Sequence, residues 1–184
     1  MDNGEISYRR YIAGDDNGFV EIVRDYKDGL LLYLNGITGN ISFAEELMEE
    51  TFFKLAVKKP VFRGKSSFKT WLYSIGRNAA IDGLRKNSRI SFMSINDYTD
   101  IADEHDIETE YFKEEQKIML HKTLHNLKSD YRQVLYLTYF EDFTIDDAAV
   151  IMKKNKKQIN NLLYRAKQSL RNELEKGGFV YERL

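Results

Sequence analysis

The chain has 184 residues, 42% of them hydrophobic, with one proline, no cysteine and a formal net charge of −1. That length suits one domain or two small ones, and so little proline favours helix. Disulfides, thiol catalysis and thiolate metal sites are excluded. The apolar run at residues 29–34 is too short to span a bilayer and no signal peptide opens the chain, so a cytoplasmic protein without membrane insertion is expected.

Residues 5–13 predict a short helix ending near Gly14. Asp15 or Asp16 can cap the next, where Phe19, Ile22, Val23, Tyr26, Leu30 and Tyr33 recur at helical spacing. Leu31, Leu32 and Leu34 make its second half apolar nearly all round, as in a buried helix. Gly36 and Gly39-Asn40 mark a turn. Ser42 with Glu45 reads as a capping box for a third helix, whose inner stripe is Ala44, Leu47, Met48, Thr51 and Leu55. Its other side carries Glu45, Glu46, Glu49 and Glu50, with Phe53 among them. No histidine lies near those carboxylates, so the face suits protein docking better than a metal. Lys58-Lys59-Pro60 ends the helix, because proline disfavours helix in the residue before it.

Phe62, Arg63, Gly64 and Lys65 then make a basic loop. Ser66 or Ser67 caps a helix that turns Phe68, Leu72, Ile75 and Ala79 inward, with Trp71 at the stripe's edge. Its opposite side offers Lys69, Thr70, Tyr73, Ser74, Arg77, Asn78 and Arg85, followed by Lys86. Aromatic, amide and guanidinium groups on one face suit stacking and hydrogen bonding to unpaired bases, with the cations on phosphates. An amphipathic helix with a merely solvated polar face shows the same residues. Asp82 falls near the apolar stripe, where it is expected to orient a neighbouring arginine or a backbone amide.

From Ile90 to Tyr111 no period is sustained and acids dominate, which predicts a mostly extended linker. From Phe112 a helix resumes, with Gln116, Met119, Leu120, Thr123, Leu124 and Leu127 inward. His121 and His125 are four apart, but no third ligand is evident and no metal or other cofactor is assigned. Ser129 can cap a helix carrying Tyr131, Val134, Leu135, Leu137 and Tyr139. Thr144 to Asp147 form a second capping box, and Asn155 with Gln158 a third. Two short helices around a tight turn, with Ala149 at their crossing, read as a helix-turn-helix. The second has Ile159, Leu162, Leu163, Ala166 and Leu170 inside. Lys156, Lys157, Asn160, Asn161, Tyr164, Arg165 and Gln168 lie outside, the amides and cations that base edges and phosphates in a major groove require. A basic three-helix bundle is the plain alternative.

The net charge hides a segregation. Residues 58–89 are basic apart from Asp82, residues 97–115 are acidic apart from Lys113, and residues 153–171 hold no acid. Two basic blocks separated by an acidic one point to two polyanion-binding surfaces on a tether.

Arg63-Gly64-x-Ser66, Phe68-x-Thr70-Trp71-Leu72 and Arg77-Asn78 followed by Asp82 resemble the promoter-melting segment of extracytoplasmic-function sigma factors. Leu127, Tyr131-Arg132, Val134-Leu135, Tyr139-Phe140-Glu141 and Tyr164-Arg165-Ala166 resemble the upstream-promoter domain of the same family. This chain departs from the family with Glu49 in the polymerase-gripping helix, Lys128 for a proline, Lys153 for the turn glycine and Asn160 for a cation.

The resemblance implies an all-α protein of two small helical domains joined by an acidic linker, the second a helix-turn-helix. Residues 1–89 would bind core RNA polymerase and melt the downstream −10 element, residues 90–111 would be the linker, and residues 112–184 would read the upstream −35 element. Phe62, Arg63, Lys65, Tyr73, Arg77, Asn78, Arg85 and Lys86 would then contact the −10 element. Lys156, Lys157, Asn160, Asn161, Tyr164, Arg165 and Gln168 would contact the −35 element, and Glu45, Glu46, Glu49, Glu50 and Phe53 the polymerase. Partners would be core polymerase, promoter DNA and an anti-sigma protein; the chain itself would be no enzyme. A helix-turn-helix regulator that does not join polymerase, or a helical adaptor, are the alternatives from other classes.

Overall fold

The computed structural model describes residues 2–93 and 123–176, with side chains in the first segment described through residue 87. Among the described residues every regular element is helical. The expected linker lies mostly outside them, as do residues 112–122 and therefore His121.

Helix α1 (Asn3–Ile12) is capped by Asp2, whose carboxylate accepts from Glu5 N at 2.7 Å, and Gly14, with φ +102°, turns the chain just beyond its end. Helix α2 (Asn17–Thr38) packs back on it. At Gly18 the absence of a Cβ lets the Ser7 carbonyl approach, and Arg10 joins Asp15 and Glu21 outside the crossing. Of the expected α2 stripe, Ile22, Leu30 and Tyr33 are fully buried; Leu34 is buried too, but Leu32 faces solvent.

Gly39, with φ +70°, turns the chain into α3 (Ile41–Phe53). Asn40, not Ser42, is its cap and accepts from Phe43 N at 2.9 Å, so the expected Ser42–Glu45 box does not form. The helix begins one residue before Ser42, which places that side chain past the cap. A π-turn (Lys54–Lys58) continues α3 and closes at Lys59, held left-handed at φ 42° immediately before Pro60.

Helix α4 (Phe68–Met93) outlasts the expected stop at Arg89 by four residues. Ser67 accepts from Thr70 N at 3.1 Å, as an N-cap does, and Asp2 accepts from Phe68 N at 2.6 Å. Phe68 anchors an aromatic cluster with Tyr8, Tyr26, Phe62 and Trp71, ring centroids 5.4–5.8 Å away.

In the second described segment, α5 (Ser129–Leu135) runs into a π-turn (Tyr136–Phe140). Ser129 makes no cap; it sits inside the first turn and donates to Ile37 O at 3.3 Å, because α5 is laid against α2. Helix α6 (Ile145–Met152) carries the Thr144–Asp147 capping box, and α7 (Lys156–Lys176) the reciprocal Asn155–Gln158 pair at 2.8 Å each way. Between them Lys153 holds φ 53°. Ala148, not Ala149, is the fully buried alanine of α6.

The two groups of helices share one core. Tyr33, Leu34, Leu72 and Tyr73 of the first and Val134, Leu137, Phe143 and Ala148 of the second belong to a single buried cluster. Helices α2 and α4 receive α5 and α6 respectively.

Candidate nucleic-acid interfaces

The loop before α4 exposes Arg63, Gly64 and Lys65, with Gly64 at φ +65°, a conformation that disfavours any side chain. Phe62 is half-buried, its ring 5.2 Å from Trp71 and 5.8 Å from Phe68, so the loop's aromatic group is braced by the core. Arg85 and Lys86 are exposed, and Asn78 is half-buried. Asp82 stands in solvent rather than beside the apolar stripe, 3.8 Å from Arg85. The inward side of α4 here runs through Ala79, Ala80 and Gly83, the last against Phe43 and Leu47 of α3, which leaves position 82 outside.

Tyr73 departs most from expectation. It was expected on the polar face, yet it is fully buried. The second helical group lies over that face of α4 and converts it into a seam. The Tyr73 hydroxyl donates to Glu141 Oε2 at 2.6 Å, and its ring meets Phe143 edge-on at 5.0 Å. Lys69 Nζ donates to the Glu141 carbonyl at 2.8 Å and stands 2.9 Å from its carboxylate. Thr70 donates to Asp147 at 2.8 Å, and Arg77 Nε to Gln133 Oε1 at 3.0 Å. Burial, then the Glu141 charge and hydrogen bond, push the Tyr73 phenol far above its ordinary value.

The seam is closely fitted at one point and imperfect at another. A Cβ at Gly29 would stand 2.5 Å from Glu141 Oε1 and 2.6 Å from the Tyr73 hydroxyl, so any other residue there would have to displace the ends of those two side chains. Tyr33, beside Tyr73 at 5.4 Å between ring centroids, is fully buried. Arg77 stands close enough to the Tyr33 hydroxyl to oppose the effect of burial on it by charge and by hydrogen bonding, although the pair falls outside strict hydrogen-bond geometry, as does any partner of Arg132 Nε.

Helix α7 presents a different surface. Lys156, Lys157, Asn160, Asn161, Tyr164, Arg165 and Gln168 are all exposed, with Tyr164 at 66%. Lys156 is paired with Asp146 at 2.7 Å across the turn. Glu45, Glu46, Glu49 and Glu50 are exposed on α3, as is Phe53, which borders an open apolar groove with Phe19, Val23, Met48 and Phe52. The structure therefore brings the α7 residues together, brings the α3 residues together, and separates the −10 candidates into an open loop (Phe62, Arg63, Lys65), a covered seam (Tyr73, Arg77) and an exposed later part of α4 (Arg85, Lys86). Sequence reasoning did not find Gln133, Glu141 or Asp147 as partners of α4. No spacing rule links residues 56 to 77 positions apart. Among the described residues no group of side chains could hold a metal ion.

Residues 22–90 match the sigma-70 region 2 family and residues 117–170 the sigma-70 region 4 family. The RNA polymerase sigma factor YlaC of Bacillus subtilis is 28% identical over 163 residues, 85% of this chain and 91% of that protein. The ECF RNA polymerase sigma factor SigM of the same organism is 27% identical over 151 residues, 82% of this chain and 91% of that one. The fold is that of the sigma factor RpoE solved with the anti-sigma factor NepR from Bartonella quintana. That likeness has a TM-score of 0.72 at 23% identity, covering 85% of this chain and 96% of that one. With both regions matched in order, and with such relatives along most of its length, the chain belongs to the sigma-70 family as an extracytoplasmic-function sigma factor, a transcription initiation factor that directs RNA polymerase to promoters.

Proposed function

We propose that the chain divides promoter reading between its two basic surfaces. Phe62, Arg63 and Lys65 of the loop, with Tyr73, Arg77, Asn78, Arg85 and Lys86 of α4, take the −10 element as an unpaired strand. Lys156, Lys157, Asn160, Asn161, Tyr164, Arg165 and Gln168 of α7 read the −35 element in the duplex major groove. Glu45, Glu46, Glu49, Glu50 and Phe53 dock core polymerase. Domain limits of 1–89 and 112–184, with residues 90–111 between, follow the same division.

The observation that carries this reading is α7: a reciprocally capped helix, buried through Ile159 and Ala166, that turns amides, a tyrosine and cations outward together. Helix dipole and cations favour phosphate at its amino end, and the amides supply the donor–acceptor pairs that base edges need. The chain supplies no catalytic step, since nucleotide addition belongs to polymerase, and it works in the cytoplasm. Among the described residues no helix is long and apolar enough to cross a membrane. RpoE was solved with the anti-sigma factor NepR, and CnrH with the cytosolic domain of CnrY. We propose an anti-sigma protein as a partner here as well.

Run-off transcription on genomic DNA with core polymerase tests the reading. Adding this chain should create discrete new start sites that share two sequence elements, and the chain should co-purify with core. DNA binding without polymerase association, or start sites identical to those of core alone, would contradict it.

A further inference from the structure

We propose that α1 frames the loop before α4, its Tyr8 and Tyr11 hydroxyls acting as positioning groups that set which downstream bases the loop accepts. This rests on the reading of Phe62, Arg63 and Lys65 as single-strand contacts. Helix α1 lies before residues 22–90, the segment matched to sigma-70 region 2, so no role reaches it from that match. Yet α1 holds the backbone on both sides of the loop. Tyr8 donates to the Pro60 carbonyl at 2.7 Å and Tyr11 to the Ala56 carbonyl at 2.9 Å, while Asp2 accepts from the Phe68 amide at 2.6 Å. Between the two tyrosine contacts the chain makes a disfavoured turn. Lys59 is left-handed at φ 42° although it carries a side chain and precedes a proline. Such a conformation persists only where its surroundings over-determine it. Here α1 supplies them, for the Lys59 ammonium also lies over the Tyr11 ring, 4.5 Å from its centroid. Pro60 has no amide hydrogen, so its carbonyl is the only backbone group by which it can be held. The Tyr8 ring stands 5.5 Å from Trp71, which meets Phe62 at 5.2 Å. One residue thus fixes the start of the loop through its hydroxyl and braces the wall behind Phe62 through its ring. In the middle of the loop, Gly64 at φ +65° has nothing within 4 Å of where a Cβ would stand, so the loop takes its direction from its held ends.

The test is transcription by holoenzyme from one mapped start site, and from templates in which its downstream element is changed one base pair at a time. Tyr8→Phe and Tyr11→Phe keep each ring and remove only the hydroxyl. Tyr26→Phe is the control, since that ring belongs to the same aromatic cluster but its hydroxyl lies beside Gly4. A merely structural role lowers the amount of working holoenzyme and scales every template alike, which leaves the ratio between preferred and altered elements untouched. The positioning role predicts that Tyr8→Phe and Tyr11→Phe bind core polymerase normally and lose that ratio by about threefold or more, the scale of one hydrogen bond of modest net strength. Tyr26→Phe should keep it. An unchanged ratio in either variant, or an equal loss in Tyr26→Phe, would overturn the proposal. Phe62→Ala measured alongside separates two kinds of failure. If it loses the ratio while the tyrosine variants keep theirs, the loop reads bases and α1 does not position it. If Phe62→Ala keeps the ratio, the reading of the loop falls and the proposal falls with it.

Discussion

The Asp2 carboxylate serves two helices: Oδ1 caps α1 and Oδ2 accepts from the amide of Phe68, 66 positions away at 2.6 Å. One side chain at the chain's amino end thus fixes the start of α4, directly behind the basic loop. Asp2→Ala should lower stability by about 1–2 kcal/mol, the range of a strong cap. Urea denaturation with an unchanged m-value checks this, and Asp2→Asn should recover part of the loss. An effect below about 0.3 kcal/mol would mean that Ser67 alone suffices to start α4.

The buried tyrosines set a limit at high pH. Tyr73 is held neutral by burial first and by Glu141 second, with Tyr33 of α2 and Tyr136 of the π-turn acting in the same direction. Burial pushes Tyr8, Tyr26 and Tyr136 up to about 12. Raised folded values mean that the unfolded chain ionises first. Their stabilisation is therefore complete below the ordinary tyrosine value of about 10, and is lost as pH rises above it towards the folded values. Denaturant midpoints should fall as pH rises from about 10 towards about 12, and Tyr73→Phe should flatten the slope. An unchanged slope in that variant would show that Tyr73 is not coupled to folding.

On α7 the expected division of labour concerns bases against phosphates. Asn160, Asn161 and Tyr164 lie on the exposed face near the capped end, and Arg165 lies to its side. Alanine at a base-reading position should cost roughly 1–3 kcal/mol and blur the preferred upstream sequence. Arg165→Ala should instead weaken all upstream sites alike and reduce the salt slope by about one. Binding of holoenzyme to a randomised upstream element separates the two patterns. Identical preference profiles for all four variants would contradict the division.

Local chemistry was legible in the sequence; long-range chemistry was not. The two reciprocal caps around α6 and α7 and the inward stripes of α3 and α4 follow from spacing within a few residues, and the structure holds them. Ser42 and Ser129 misled because serine is a good cap wherever one is needed. Asn40 and Lys128 precede the actual first turns. Lys153 was visible as a departure from a family glycine, and its φ of 53° shows the turn keeping its left-handed geometry despite a side chain. Tyr73 failed for a different reason. Helical phase puts it opposite the apolar stripe, and only the arrival of Glu141 and Phe143 from another part of the chain buries it.

We propose that residues 62–89 capture unpaired bases as the promoter opens. Unstacking costs a few kcal/mol per base, and an aromatic or polar pocket recovers about 1–3 kcal/mol for each base held. The measurement is run-off transcription by holoenzyme carrying Phe62→Ala or Asn78→Ala, on duplex promoter and on the same promoter mismatched across the downstream element. Both variants should bind core polymerase and the closed promoter, lose transcription on the duplex, and regain it on the pre-opened template. Equal defects on both templates would show that this loop and helix do not melt the promoter.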